Sequence, residues 1–241
     1  QHELAPSLQS MLPISPTSPT ECGALMALEF RSVAAVAAKK LPTFTAWLLG
    51  CDMEPGYLYH RRVLKLLQWR RPPTRWRLRS PAHMASIDAL DRVYPDAQFV
   101  MTHRDVASVI PSVASLLAAI SSMVTERQDK LYLGEYCASL WETSLKRTIA
   151  FRDANREARF HDLGFLEVQA DPVGSVRKLY ASMGEELTPA TEQLMATWWA
   201  DNPRDKHGSH VYRAEDFGLS TDELHARFSF YNDRFDVPQD R

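Results

Sequence analysis

Three cysteines, Cys22, Cys51 and Cys137, are all that 241 residues contain. They are odd in number and far apart. Neither a disulfide framework nor a zinc-ligand spacing follows, and a reducing compartment is the simpler setting. An excess of charge of one sign is also lacking: 28 Lys and Arg against 30 Asp and Glu leave a formal net charge of −2. Basic runs at Arg61-Arg62 and Arg70-Arg71 are balanced elsewhere, which argues against nucleic-acid binding through a broad basic surface. The one uncharged stretch of membrane-spanning length, 106–125, is full of Ser and Ala and contains Pro111. That is the composition of a buried helix, not of a span. No signal peptide is visible, and the expected location is cytoplasmic. The chain starts at Gln1 and not Met, and reads as a fragment or a processed product. Its nine glycines are scattered, and there is no internal repeat.

What is present is enough for one sizeable core. The chain is 45% hydrophobic over 241 residues, which suits a single domain over 1–241. Pro6, Pro13, Pro16 and Pro19 make residues 1–20 an extended lead-in. Apolar periodicity predicts helices over 20–40, capped by Thr20, over 44–49, and from Pro55 to Trp69, ended by Pro72-Pro73. Residues 74–78 alternate and read as a strand; a helix over 84–93 and a strand over 98–102 follow, which implies a right-handed parallel crossover. Further helices are expected from Val106, over 132–157, from Asp171-Pro172, over 189–199 and, amphipathic, over 221–235. A third strand is expected at 159–163. The fold class is α/β. Tyr57, Trp69, Trp76 and Trp141 are read as mostly core, with some of them available to line an apolar pocket.

The stretch 97–117 organises the rest. An apolar strand ends at His103-Arg104-Asp105, and small apolar residues then run on at helical spacing: Val106, Val109, Ile110, Val113, Leu116 and Leu117. Asp105 is a fitting N-cap. The end of a strand followed by a helix N-terminus is a natural anion site, because unpaired amides and the positive end of the dipole meet there. Arg104 adds a planar, forked cation suited to phosphate. Ser112, two turns on, supplies a hydroxyl if its face turns that way.

The sequence around this stretch resembles a known family. Arg77-Leu78-Arg79-Ser80-Pro81-Ala82-His83, then Tyr94-Pro95-Asp96-Ala97-Gln98-Phe99-Val100, Thr102-His103-Arg104-Asp105 and Pro111-Ser112 are similar to the core of sulfotransferases that use 3'-phosphoadenosine 5'-phosphosulfate (PAPS), above all their bacterial branch. The resemblance implies a three-layer α/β/α, P-loop-NTPase-like fold with a short parallel sheet. It implies that Arg104 and Ser112 hold the 3'-phosphate of the nucleotide and that Ser80 contacts it. The segment 206–219 resembles the family's closing loop, which brings Lys206 and the backbone of Gly208 to the same phosphate. PAPS is then the co-substrate, without a metal; His207 and His210 alone make a weak metal case. The partner is a small-molecule, sugar or lipid acceptor.

Two departures accompany the resemblance. The family often has Lys where this chain has Arg79, which keeps the charge near the donor but does not readily give up a proton. The family's Gly-Thr-Thr phosphosulfate loop is not matched: the nearest glycines, Gly50 and Gly56, lack both a preceding strand and a following Ser or Thr. The chain therefore reads as the larger C-terminal part of an enzyme, its first strand and loop missing and its activity weak or absent. His83, neutral at pH 7, is the best visible base for the acceptor proton. His103 reads as a packing residue at the strand end. A non-catalytic nucleotide- or partner-binding protein on the same fold stays open as the alternative.

Overall fold

The computed structural model describes residues 8–12, 15, 18–33, 39–72, 74–203, 206, 208 and 210–240. In chain order the elements are α1 (Leu8–Met11), α2 (Cys22–Met26), α3 (Pro42–Gly50), α4 (Glu54–Gln68), α5 (Ile87–Val93), β1 (Phe99–His103), α6 (Val106–Ser121), α7 (Lys130–Asp153), β2 (Phe160–Gly164), α8 (Phe165–Ala170), α9 (Pro172–Ser182), α10 (Pro189–Asp201), α11 (Thr221–Arg227) and α12 (Ser229–Phe235). Among the described residues the sheet has two strands. β1 and β2 run parallel, with Phe99 opposite Phe160 and His103 opposite Gly164. Their connection is a helical crossover through α6 and α7, as parallel pairing demands.

Local chemistry explains where helices start. Asp105 precedes α6 and its Oδ1 accepts from the amide of Ala107 at 2.9 Å. Asp129 caps α7 through Tyr132 N, and Asp171 and Thr188 cap α9 and α10, each followed by Pro at the first helical position. Val106, Ile110, Ala114 and Ala118 form one buried stripe on α6, spaced by one helical turn. They pack on Cys137, Ala138 and Leu145 of α7 and on Phe217, Leu224, Phe228 and Tyr231. Where α7 passes beneath the 3-10 turn Ala214–Phe217 it carries Gly134, whose absent Cβ would lie 2.0 Å from the Phe217 carbonyl oxygen. A second core holds Met26, Leu48, Met53, Tyr57, Ala89, Leu90 and Val93. Among the described residues, no helix is long and apolar enough to cross a membrane.

Several expectations change. Residues 74–78 form no regular element and pair with no strand among the described residues. Their alternation is Arg, Trp, Arg, Leu, all exposed, so there is no apolar face to bury in a sheet; Arg75 and Arg77 instead bond to Glu185. The crossover expected from that segment is replaced by the one from β1 to β2. Trp69 and Trp76 are exposed, not core, while Tyr57 is 1% exposed. The helix expected from Thr20 is a short α2 that ends in a 3-10 turn; its expected continuation over 34–38 lies outside the described residues, as do residues 1–7 of the lead-in. The tail forms two helices broken at Phe228.

Between α7 and the sheet sits an ionic knot around a buried guanidinium, whose two carboxylates reach the surface. Arg152, 2% exposed, donates to both oxygens of Asp162 at 2.8 and 2.7 Å and to both oxygens of Glu157 at 2.9 and 2.6 Å. Its guanidinium lies over the rings of Phe160 and Phe235. Asp162 also accepts from His103 Nε2 at 2.8 Å, and His103 Nδ1 then accepts from the Tyr231 hydroxyl at 3.1 Å. His103 stacks on Phe235, the packing residue the sequence predicts. Burial pushes the Asp162 carboxyl up, but the hydrogen bonds from Arg152 and His103 and the charge of Arg152 outweigh it and hold the group well below the usual carboxylate range. Replacing Asp162 with Ala leaves a buried guanidinium half-compensated and should cost about 3 kcal/mol in urea unfolding. Because the folded-state pKa is depressed, the wild-type contribution is complete above the unfolded carboxylate pKa, about 3.9, and is lost as pH falls below it. A variant as stable as wild type at neutral pH, or one that loses stability in acid as wild type does, would refute this account.

Candidate anion site and acceptor-side base

Parallel register builds the candidate site. His103 faces Gly164 across the two strands, so the next residues, Arg104 and Phe165, leave the same end of the sheet together. The Arg104 guanidinium lies over the Phe165 ring, 4.2 Å from its centroid, a cation–π contact that helps hold it in place. Its Nε donates to Asp240 Oδ2 at 3.1 Å; the two side chains are 28% and 22% exposed. Arg104 therefore holds an anionic group, and that group is the protein's own tail carboxylate.

Beside it, Asp105 is 3% exposed and saturated by three donors. Oδ1 accepts from Ala107 N and from His225 Nε2, both at 2.9 Å, and Oδ2 accepts from Asp240 N at 2.9 Å. One opening amide of α6 is thus already satisfied by Asp105, which leaves Arg104 as the main attraction for an incoming anion. Ser112 is partly buried and shares one face of α6 with Ser108 and Ser115. The segment 210–212 crosses that face: His210 Nε2 is 2.7 Å from Ser115 Oγ, and the Tyr212 hydroxyl donates to Ser108 O at 3.0 Å. Ser112 lies between these two anchor points. Lys206 is exposed and turned back on the end of α10, where its Nζ donates to Asp201 O and Asn202 Oδ1. Gly208 is exposed with φ of 84°, a left-handed conformation that favours glycine. His207 lies outside the described residues.

The other candidates sit on the segment that precedes α5. Arg79 is exposed, and its carbonyl accepts from Cys22 N at 3.1 Å. Ser80 is partly buried; its Oγ would stand 3.7 Å from a Cβ on Gly23. His83 follows in the 3-10 turn Pro81–Ser86. Its imidazole lines a small cavity of about 30 Å³ together with Met26, Leu48, Met53 and Tyr57. Burial, with a smaller contribution from His60, pushes its pKa down to about 4, so the ring is neutral at pH 7 and keeps a lone pair. Cys22 and Cys137 offer no ready nucleophile: burial pushes the Cys22 thiol up, and Cys137 to about 12. No group of three His, Cys, Asp or Glu side chains among the described residues could hold a metal ion.

Sequence reading missed Phe165 and Asp240, and it read Tyr57 as a core or pocket aromatic without its bond to His83. Phe165 had a signal, since it follows β2 as Arg104 follows β1. Asp240 and the Tyr57 bond had none, because these contacts join residues 136 and 26 positions apart.

Comparison with known proteins agrees with this fold. A model of the sulfotransferase family matches residues 2–189. The structure is similar to the crystal structure of sulfotransferase STF9 from Mycobacterium avium, with a TM-score of 0.86 and 29% identity over 95% of this chain and 59% of that one. It is also similar to sulfotransferase STF1 from Mycobacterium tuberculosis H37Rv (type1 form), with a TM-score of 0.80 and 29% identity over 90% of this chain and 56% of that one. The chain thus spans less than two thirds of either solved protein, and no curated protein matches it. With a family model matching well over half of its residues and a shared three-dimensional framework, the chain belongs to the sulfotransferase family.

Proposed function

We propose that this chain carries the 3'-phosphate site and the acceptor side of a sulfotransferase that moves a sulfuryl group from PAPS to a hydroxyl or amine of a small-molecule, sugar or lipid acceptor. The observation that carries the proposal is the Arg104 turn, where a ring-stacked guanidinium at the end of a parallel strand already grips a carboxylate. A phosphate ester competes for the same donors with more charge and more acceptor oxygens. Ser112, on the α6 face under segment 210–212, adds a hydroxyl. Lys206 and Gly208 reach the phosphate in this reading only after Lys206 releases the end of α10. Ser80 serves the nucleotide from the opposite segment.

PAPS supplies the activated sulfur–oxygen bond. The chain's own task is to orient the reactants, offset charge and remove one proton. The bond from sulfur to the phosphate oxygen breaks as the acceptor oxygen or nitrogen bonds to sulfur. His83 takes the acceptor's proton at an imidazole nitrogen. Arg79, exposed and without a carboxylate partner among the described residues, offsets charge on the leaving phosphate.

Calorimetry with 3'-phosphoadenosine 5'-phosphate tests the nucleotide half of this proposal. Arg104→Ala should weaken binding by about 1.5–3 kcal/mol, the worth of a lost charged hydrogen bond; unchanged affinity would overturn the assignment. Asp240→Asn should tighten binding, since the nucleotide no longer displaces a charged competitor. Weaker binding in that variant would mean that the tail supports the site instead of competing for it. A non-catalytic reading is favoured by the Asp240 carboxylate already held on Arg104 Nε and by the retracted Lys206. Transfer of labelled sulfate to a panel of alcohols, sugars and amines separates the two: nucleotide binding with no transfer to any acceptor supports the binding protein.

A further inference from the structure

Among the described residues three histidines are hydrogen-bonded to tyrosines. His103 Nδ1 lies 3.1 Å from Tyr231 Oη, His60 Nδ1 lies 2.7 Å from Tyr94 Oη, and His83 Nδ1 lies 3.0 Å from Tyr57 Oη. Two of them are closed. His103 gives its Nε2 to Asp162, and His60, 1% exposed, has its Nε2 sealed without a partner. The third is open. His83 is only partly buried, lines a cavity, and has no second hydrogen bond to a described residue.

We infer that Tyr57 is the positioning residue for His83: its hydroxyl oxygen accepts the Nδ1 proton and leaves Nε2 bare to receive a proton from the acceptor. The inference rests on the reading of His83 as the acceptor's base. A neutral imidazole carries one proton, and the hydrogen bond at one nitrogen decides which nitrogen keeps it. A phenol oxygen has lone pairs to accept with as well as a proton to give. If Tyr57 donates instead, Nε2 carries the proton and has no lone pair with which to take the acceptor's.

The surroundings suit a positioning role. Tyr57 is 1% exposed and wedged in the second core with Met26, Leu48 and Met53, so its hydroxyl has little freedom. The rings of Tyr57 and His83 stand 5.6 Å apart with a 38° tilt. The turn that carries His83 is pinned from the other side by α7, where Arg147 donates to Ala85 O at 2.8 Å and Thr148 to Met84 O at 3.2 Å. The backbone is thus held by one helix and the imidazole by another, an arrangement that fixes a ring to one orientation.

Nitrogen-15 NMR of the histidine-labelled full chain tests this, with the His83 signals assigned through His83→Gln. At pH 7 the wild type should show Nδ1 protonated and Nε2 bare, and Tyr57→Phe should shift His83 to a mixture of tautomers. A wild-type ring protonated at Nε2 overturns the inference. So does an unchanged tautomer in Tyr57→Phe. Where sulfate transfer is measured, Tyr57→Phe should lower kcat about tenfold, within the range of a misplaced general base, with KM nearly unmoved. His83→Gln that transfers sulfate at the wild-type rate refutes the base reading alone, and the tautomer measurement still decides whether Tyr57 orders the ring.

Discussion

The Arg152–Asp162 pair is the interaction on which the rest of this structure depends. A guanidinium taken out of water is costly unless every donor finds an acceptor. Here four N–H···O contacts to two carboxylates and two flanking aromatic rings supply that compensation. The pair's net worth against an apolar substitute is small, as for most buried ion pairs; its value lies in geometry. It joins the end of α7 to β2, passes through Asp162 to His103 on β1, and continues through Tyr231 into α12. Arg104 is the residue after His103. A shift of any of these four elements would move the one cation that the candidate site is built around.

The candidate anion site is a product of strand pairing. Parallel register delivers Arg104 and Phe165 side by side without either needing a loop. Asp105 then saturates its own carboxylate with the helix start, α11 and the tail. That division of labour keeps the buried aspartate from neutralising its neighbour: Asp105 is spent on three N–H donors, and the Arg104 fork is left to face outward, where Asp240 meets it.

Much of this was legible in the sequence wherever the signal was local. The Asp105 cap, the apolar stripe of α6, the proline-started α9 and α10, and both strands of the sheet follow from residue type and spacing over a single turn or strand. Residues 74–78 misled because alternation alone does not make a strand; an alternating segment whose side chains all face water has nothing to gain from a sheet. The site was legible in part. Arg104 could be picked out because a lone forked cation stood at a strand–turn–helix junction. Phe165 could have been, as the residue that follows β2 where Arg104 follows β1, but Asp240 could not, since it arrives through a tertiary contact that leaves no periodicity behind. Lys206 shows the converse: a basic residue in the right stretch of chain still chooses its partners by geometry, and the carbonyl and amide at the end of α10 are nearer.

Gly134 carries a consequence for how the chain beside it is held. A glycine inside a helix is unfavourable by roughly 0.5–1 kcal/mol relative to alanine, and α7 tolerates it because the Phe217 carbonyl occupies the space of the missing methyl group. The turn Ala214–Phe217 is therefore seated directly on helical backbone, with no compressible side chain between them. Segment 210–212, by contrast, is tethered by two hydrogen bonds to α6. The glycine seat thus holds by backbone contact, whereas the 210–212 tether holds by two hydrogen bonds that water can replace.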